Sequence, residues 1–338
     1  MAGASQDEPG ADDTDRPRLL VSDRGGGSND LPQSAGILQP CFRSPPAIYG
    51  RERTQEATIH GKVVVITGAT SGIGHIAATR LAALGARIVL VARNPQRAEA
   101  TLAKLREAGP SLAHRAHFAD LSILAEMRRV GQEIAAAEPR IDVLINNAGN
   151  VFARRELTPD GLERTFATNH MAYFVLTHCL RERLLAAAPA RVVNTASAAH
   201  IGRTLDFDDL QLARQYSTMT AYGRSKLANI LFTRELARRL AGTGVTANCL
   251  HPGFVATGLG QRAGGIFGLM VRFTMLFAGR AERGAQTIVH LASSPDVASV
   301  SGAYFISSRP AEPSPAARDD VAARRLWEES ERIAGFRE

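Results

Sequence analysis

The stretch Val63-Val64-Val65-Ile66-Thr67-Gly68-Ala69-Thr70-Ser71-Gly72-Ile73-Gly74 decides the fold of this 338-residue chain. Its first four residues form an unbroken apolar run, which is typical of a parallel strand buried on both faces. The glycines that follow permit a tight turn, and small residues from 73 to about 84, ended by Gly85, predict a helix. N–H groups at the start of such a helix can bind a pyrophosphate. This strand–turn–helix context predicts a dinucleotide site, whereas a glycine-rich turn alone would indicate an ordinary connection.

Apolar strands and helical patterns alternate along the rest of the chain. We predict further strands at residues 88–91, 114–118, 143–145, 191–195, 245–250 and 303–306. Repeated βα units imply a parallel sheet with helices on both faces. We therefore expect one α/β domain over residues 58–338, built on a single Rossmann-like, doubly wound parallel sheet of about seven strands.

Residues 1–57 differ from the rest of the chain. They are rich in Gly, Pro, Ser and Asp, and no helical or strand period persists in them. We interpret them as a disordered N-terminal tail; a start-site extension foreign to the native protein is the alternative. The tail carries acids such as Asp7 and Glu8 and lacks an apolar h-region, so we do not expect a secretory signal.

The composition argues against several classes of function. The chain is 45% hydrophobic and 22% charged, with a formal net charge of +7, and the first two values are ordinary for a globular protein. The arginines are scattered along predicted helices, which favours a solvated basic surface. Aromatic residues make up only 6% of the chain and show no base-stacking pattern, so we expect no nucleic-acid partner.

The three cysteines, Cys41, Cys179 and Cys249, lie far apart and show no metal-binding spacing. We expect no metal site, and a sparse, odd set of cysteines fits a reducing, cytoplasmic location. The most apolar late stretch, 266–278, contains Arg272 and is shorter than the ~20 residues that span a bilayer. A peripheral membrane contact and a homo-oligomer both stay open.

A candidate catalytic pair lies in a later helical stretch. Tyr222 and Lys226 are four residues apart and share one helix face. A lysine cation near a phenol favours the phenolate, so we expect Lys226 to move the pKa of Tyr222 down from ~10. The spacing alone occurs by chance. Here, however, Ser197 ends the preceding strand and Asn169 lies on the helix before it.

These motifs resemble the short-chain dehydrogenase/reductase family over residues 61 to about 335. The resemblance rests on the Gly-x-x-x-Gly-x-Gly loop, on Asn146-Asn147-Ala148-Gly149 after the fourth strand, and on the Asn, Ser, Tyr and Lys set. An insertion at 203–219 is similar to the retinol-dehydrogenase-like branch. So are the segments 227–232, 251–253 and 325–330.

The resemblance implies an oxidoreductase with four catalytic residues. Tyr222 would give a proton to a carbonyl oxygen, or remove one from a hydroxyl, and Ser197 would hydrogen-bond the same oxygen. Lys226 would tune Tyr222 and hold the nicotinamide ribose, and Asn169 would support a proton-relay water. The bound nicotinamide would transfer the hydride. Residue His200 is interpreted as an ordinary loop residue.

The second predicted strand indicates which nicotinamide is used. An NAD site commonly has an acid ~20 residues after the glycine loop, but no Asp or Glu occurs between Gly74 and Glu99. Arg93 could pair with a 2′-phosphate, because its planar fork suits that anion. We therefore expect NADP(H) rather than NAD(H), the alternative being a surface arginine without a ligand. The expected cofactor contacts are Gly68, Thr70, Ser71, Gly72, Ile73, Gly74, Arg93, Asp120, Leu121, Asn147, Ala148, Gly149, Tyr222, Lys226, Pro252, Gly253, Val255 and Thr257.

The segment 264–277 is dense in Met and Phe. It predicts either a lid over a lipophilic alcohol or carbonyl substrate, such as a retinoid, steroid or fatty aldehyde, or a core helix or oligomer contact.

Two competing functions remain. A catalytically inactive dinucleotide sensor or scaffold would not need all four catalytic residues, and a light-dependent pigment reductase would be expected to carry a cysteine close to this site pattern.

Overall fold

The computed structural model describes residues 59–253 and 281–336. The predictions for the tail 1–57 and for the apolar segment 264–277 lie outside these residues, as do Val255 and Thr257.

The described residues form a regular succession of strands and helices. The strands are β1 Val63–Thr67, β2 Arg87–Ala92, β3 Arg115–Phe118, β4 Val143–Asn146, β5 Ala190–Thr195, β6 Val245–His251, β7 Tyr304–Ile306 and β8 Arg309–Ala311. The helices are α1 Gly72–Ala83, α2 Pro95–Ala108, α3 Leu124–Ala137, α4 Arg164–Phe166, α5 Ala172–Leu185, α6 Thr218–Arg239, α7 Ala281–Ser293 and α8 Asp320–Ala334. A π-helical segment, Ala167–Met171, joins α4 to α5.

The strands form one sheet in the order β3-β2-β1-β4-β5-β6-β7-β8. Strands β1 to β7 are all parallel, which confirms the predicted doubly wound sheet. The chain extends outward from β1 to β3 and then returns to place β4 on the other side of β1. Ligands of such sheets bind in the crevice at the carboxyl ends of the strands, where the order reverses.

The eighth strand was not predicted. It pairs antiparallel with β7 across a two-residue turn in which Ser307 and Ser308 have φ of 49° and 61°. Such turns usually carry Asn-Gly or Asp-Gly, and Ser-Ser is not a recognisable hairpin signal. The sequence therefore did not reveal this strand, because serine gives no sign of the positive φ that Ser307 and Ser308 adopt.

Side chains of β1 alternate between two cores. Val63 and Val65 face the core that includes α3, α5, α6 and α8, and Val64 and Ile66 face the core that includes α1, α2 and α7. Successive residues of a strand point to opposite faces, so a strand covered on both faces needs the continuous apolar run that the sequence shows. No helix within the described residues is long and apolar enough to cross a membrane.

Candidate active site

The residues predicted to form the site converge on one edge of the sheet. The loops that begin at Gly68, Arg93, Asn147, Ala196 and Pro252 follow the carboxyl ends of five parallel strands. Asp120 lies just after a sixth strand, β3. Because parallel strands all end at the same edge, these loops surround one crevice.

Helix α1 begins without a side-chain cap. Ser71 precedes the helix and makes no capping hydrogen bond, and no acid lies in the first turn. By contrast, Asn94, Ser217 and Asp319 cap helices α2, α6 and α8 with their side chains. The first N–H groups of α1 therefore keep their capacity to bind an anion.

The glycines of the β1–α1 turn are required by close approach of the backbone. A Cβ atom at Gly68, whose φ is +68°, would lie 2.7 Å from Ala148 Cα. A Cβ atom at Gly74 would overlap the Asn147 side-chain nitrogen and the Gly68 carbonyl oxygen. The turn is thus pressed against the loop after β4, and larger residues would separate the two loops.

Asn147 ties these two loops together. Its Nδ2 group donates to the carbonyl oxygen of Gly68 at 3.0 Å, and its backbone N–H donates to Thr67 Oγ1 at 3.0 Å. The N–H of Ala148 donates to the same hydroxyl oxygen at 2.9 Å. Sequence analysis did not identify Thr67, because only the fold brings it opposite Asn147.

Tyr222 and Lys226 lie one turn apart on α6, as their spacing predicts. Lys226 is 2% exposed, and its Nζ lies 5.7 Å from the centre of the Tyr222 ring. The ammonium donates to the carbonyl oxygen of Thr195 at 2.9 Å. Burial lowers the pKa of Lys226 to about 7, because removal from water penalises the charged form.

The expected downward shift in the pKa of Tyr222 is wrong. Burial raises the pKa of Tyr222 above its usual 10.0, and a hydrogen bond with Ser197 lowers it by a smaller amount. The same burial that disfavours a charged lysine also disfavours a phenolate. Tyr222 is therefore a protonated phenol at neutral pH, with Ser197 as its hydrogen-bonding neighbour.

Asn169 lies in the π-helical segment between α4 and α5, a feature that is frequent at functional sites. Its Oδ1 accepts from the N–H of Asn150 at 2.8 Å, and its Nδ2 donates to Ser225 Oγ at 3.0 Å. A Cβ atom at Gly149 would lie 3.3 Å from Asn169 Oδ1 and 3.4 Å from Lys226 Nζ. Asn169 and Lys226 thus both lie close to Gly149, where a larger residue would press against them.

Two neutral histidines hold the loop that carries Ser197. His200 Nδ1 lies 2.6 Å from the carbonyl oxygen of Ser197, and its Nε2 accepts from the N–H of Ser314 at 3.1 Å. The N–H of Ala198 donates to His251 Nδ1 at 3.2 Å. Burial lowers the pKa of His200 and that of His251 to about 4. Both nitrogens of His200 are engaged, which fits its interpretation as a loop residue.

Arg93 follows β2, which lies on the other side of β1 from β5, the strand before Ser197. Its side chain is 60% exposed, and Nη1 lies 3.9 Å from Asp120 Oδ2 after β3. The other carboxylate oxygen of Asp120 accepts from the N–H and hydroxyl of Ser122. The neighbouring Leu121 is buried. An exposed guanidinium with one long ion pair keeps donors available for a further anion.

The fold and the side chains of Asn169, Ser197, Tyr222 and Lys226 define a class of protein. Comparison with known proteins identifies the same class. The chain belongs to the short-chain dehydrogenase/reductase family, since the family model described as short chain dehydrogenase matches residues 62–264. The family uses NAD(P)(H).

Individual relatives refine this placement. The chain is 43% identical to human retinol dehydrogenase 13 over 298 residues, which are 86% of this chain and 89% of the relative. It is 43% identical to human retinol dehydrogenase 14, covering 82% and 88%. The chain is therefore an oxidoreductase related to retinol dehydrogenases, which confirms the predicted branch.

Solved structures give the same fold. An uncharacterized protein from Mycobacterium paratuberculosis is 31% identical with a TM-score of 0.67, covering 82% of this chain and 95% of that one. A short-chain dehydrogenase from Burkholderia cenocepacia, in complex with NADP, is 27% identical with a TM-score of 0.59, covering 73% and 96%.

Proposed function

We propose that this protein is an NADP(H)-dependent alcohol dehydrogenase or carbonyl reductase that acts on lipophilic substrates. The observation that carries the proposal is the convergence of Tyr222, Ser197 and Lys226 on the edge of the sheet where α1 begins uncapped. The relationship to retinol dehydrogenases supports a retinoid-, steroid- or fatty-aldehyde-like substrate.

The residues of the crevice fit a dinucleotide. The uncapped start of α1 would hold the pyrophosphate. Because Gly68 has no side chain, nothing would stand between the pyrophosphate and the backbone of the β1–α1 turn. Arg93 would pair with the 2′-phosphate, and the Burkholderia relative contains NADP. Bound NADPH supplies the hydride.

The side chains of this chain would handle the proton. Because burial raises the pKa of Tyr222, its phenol would carry the proton that a developing alkoxide needs. Ser197 would donate a second hydrogen bond to that oxygen, which stabilises the charge that forms in the transition state. Asn169 and Lys226, which both lie close to Gly149, would form the wall behind the nicotinamide ribose.

A substrate screen with both cofactors tests the proposal. The purified chain should oxidise NADPH in the presence of retinaldehyde, ketosteroids or long-chain aldehydes, and small aldehydes should be poorer substrates. The Tyr222→Phe variant is the matched control. A chain that binds NADPH but turns over none of these substrates would instead be the inactive sensor or scaffold. The lid at 264–277 and a cytoplasmic location remain predictions from the sequence.

A further inference from the structure

A buried histidine, His200, lies in the loop that carries Ser197 and is 1% exposed. Its ring nitrogen Nδ1 lies 2.6 Å from the carbonyl oxygen of Ser197, and its backbone N–H donates to the same oxygen at 3.2 Å. On the other side of the ring, Nε2 accepts from the backbone N–H of Ser314 at 3.1 Å. The imidazole therefore joins Ser197, a catalytic residue in the proposed function, to a residue that lies 114 positions after His200 in the chain.

Both partners of the ring are backbone groups, and together they determine which nitrogen carries the proton. An N–H group only donates, so the Nε2 atom that faces Ser314 must be an acceptor. A carbonyl oxygen only accepts, so the Nδ1 atom that faces Ser197 must carry the proton. Burial lowers the pKa of His200, which keeps the imidazole neutral, with one donor and one acceptor. A proton on Nδ1 satisfies both contacts at once, whereas a proton on Nε2 would satisfy neither.

The hairpin of β7 and β8 holds the ring on the side away from Ser197. Tyr304 of β7 packs against the imidazole, with ring centroids 5.4 Å apart and an interplanar angle of 72°. Ser314, which donates to Nε2, follows the end of β8 at Ala311 by three residues. The eighth strand, which the sequence did not reveal, thus leads the chain to its contact with His200.

The peptide group between Ser197 and Ala198 is held at both ends. Its carbonyl oxygen accepts from His200, and its N–H donates to His251 Nδ1 at 3.2 Å. A peptide group is planar, so two hydrogen bonds on opposite sides fix its orientation. The residue before Ser197 is bonded to strand β6. With the backbone fixed on both sides, the direction in which the Ser197 side chain leaves the backbone is fixed as well.

We propose that His200 is a positioning residue for Ser197, an inference that rests on the proposed function. Its imidazole connects the β7–β8 hairpin to the peptide group after Ser197, and so places the serine hydroxyl beside the reacting oxygen. His200 itself exchanges no proton with the substrate, because both of its ring nitrogens are already engaged by backbone groups. The C-terminal hairpin thereby takes part in the geometry of the site.

Two substitutions at Ser314 test the link from the hairpin. Ser314→Pro removes the backbone N–H and puts a ring carbon in the place of its hydrogen, while proline adopts the φ of −58° that Ser314 already has. Ser314→Ala is the matched control, because it keeps the N–H and removes only a buried hydroxyl that has no partner within the described part of the chain.

We expect Ser314→Pro to lower kcat about tenfold or more with an unchanged Kd for NADPH, since small misplacements of catalytic groups are costly. Ser314→Ala should keep the kcat of wild type. Equal kcat values in the two variants would overturn the proposal. A Ser314→Pro variant that does not fold leaves the decision to substitutions of His200.

His200→Leu removes both hydrogen bonds of the ring and keeps a buried side chain. We expect kcat to fall about tenfold or more while the Kd for NADPH stays unchanged. His200→Asn should recover part of the lost kcat, because its amide keeps a donor near the Nδ1 position. A His200→Leu variant with the kcat of wild type would show that Ser197 needs no support from the ring, and the proposal would be wrong.

A second buried histidine controls for the loss of stability. His114 precedes β3 at the opposite, amino-terminal edge of the sheet, and its Nδ1 accepts from the backbone N–H of Ile88 at 3.0 Å. His114→Leu should lower Tm without lowering kcat. If kcat falls in proportion to Tm in both leucine variants, His200 is only structural and the proposal is overturned.

All variants are compared on the best substrate of the wild-type chain. A wild-type chain without turnover refutes the proposed function. An active wild-type chain whose kcat does not change in Ser314→Pro and His200→Leu refutes only the role of His200.

Discussion

The Lys226 ammonium donates a hydrogen bond to the carbonyl oxygen of Thr195, the last residue of β5, at 2.9 Å. The bond holds a cation at the edge of the sheet in a place that is almost closed to water. Burial lowers the pKa of Lys226 to about 7 from 10.5, so the folded protein holds the protonated amine only at a cost in stability.

The first prediction concerns the loss of folding stability that comes from burying Lys226. In the unfolded chain the pKa of Lys226 is near 10.5, and in the folded chain it is about 7. Between these values the unfolded state binds more protons, so the group's contribution to stability rises with pH. Lys226→Met should therefore be more stable than wild type, and its advantage should grow as pH falls from 10 to 7 and then level off. Thermal unfolding between pH 6 and pH 10 measures this.

An exposed lysine is the control for the same experiment. Lys104→Met on α2 removes a lysine that is exposed to water, so it controls for the loss of a lysine side chain without the effect of burial. A stability difference for Lys226→Met that is flat across this range would contradict the lowered pKa.

The second prediction concerns the proton donor. Tyr222→Phe removes only the phenolic hydroxyl, and the ring keeps its place on α6. Turnover should fall about 10²–10⁴-fold, the usual worth of a positioned acid or base, and the Kd for NADPH should stay nearly unchanged. Lys226→Ala should lower turnover and also weaken NADPH binding. Near-normal kcat in the Phe variant would rule out Tyr222 as the acid/base.

The third prediction concerns cofactor choice. A hydrogen bond to a charged group contributes ~1.5–3 kcal/mol, so Arg93 would favour NADPH over NADH by about one to two orders of magnitude. Its exposure and its ion pair with Asp120 place the expected value at the lower end, because solvent screens the contact. Arg93→Ala should remove most of this preference, mainly through the KM for NADPH, as measured by kcat/KM with each cofactor.

Another arginine beyond the same strand provides the comparison. Arg106 on α2 pairs with Glu99, and Arg106→Ala should leave the preference intact. A wild-type chain that favours NADH, or an Arg93 variant with the same ratio, would contradict the assignment. Arg97, in the first turn of α2, would then be the next candidate.

The fourth prediction concerns the close contact between the β1–α1 turn and the loop after β4. A Cβ atom at Gly74 would overlap the Asn147 side chain and the Gly68 carbonyl. Gly74→Ala should destabilise the fold by about 1–3 kcal/mol, as overpacking does, and weaken NADPH binding. Gly161→Ala is the control for binding: its φ of +75° makes alanine strained there too, but nothing lies within 4 Å of its Cβ position, so it should lose stability without weakening NADPH binding. If Gly74→Ala binds NADPH normally, the close contact between these two loops is not needed for the cofactor site.

The sequence by itself determined the order of the seven parallel strands and the spacing that places Tyr222 and Lys226 on one helix face. Apolar runs such as residues 63–66 and 88–91 reveal buried parallel strands, because a strand covered on both faces needs apolar residues at every position. Tyr222 and Lys226 could be paired because four residues make one turn of a helix. These are local relations, and each is legible from a short window of residues.

Only the tertiary structure decided the environment of those residues. Burial depends on what the rest of the chain places around a group, so the raised pKa of Tyr222 contradicts the expectation from its lysine neighbour. Thr67 meets Asn147 across 80 residues, and His170 meets Ser330 across 160. No short-range pattern encodes such pairs, because a hydrogen bond between distant residues exists only after the sheet and its helices have packed.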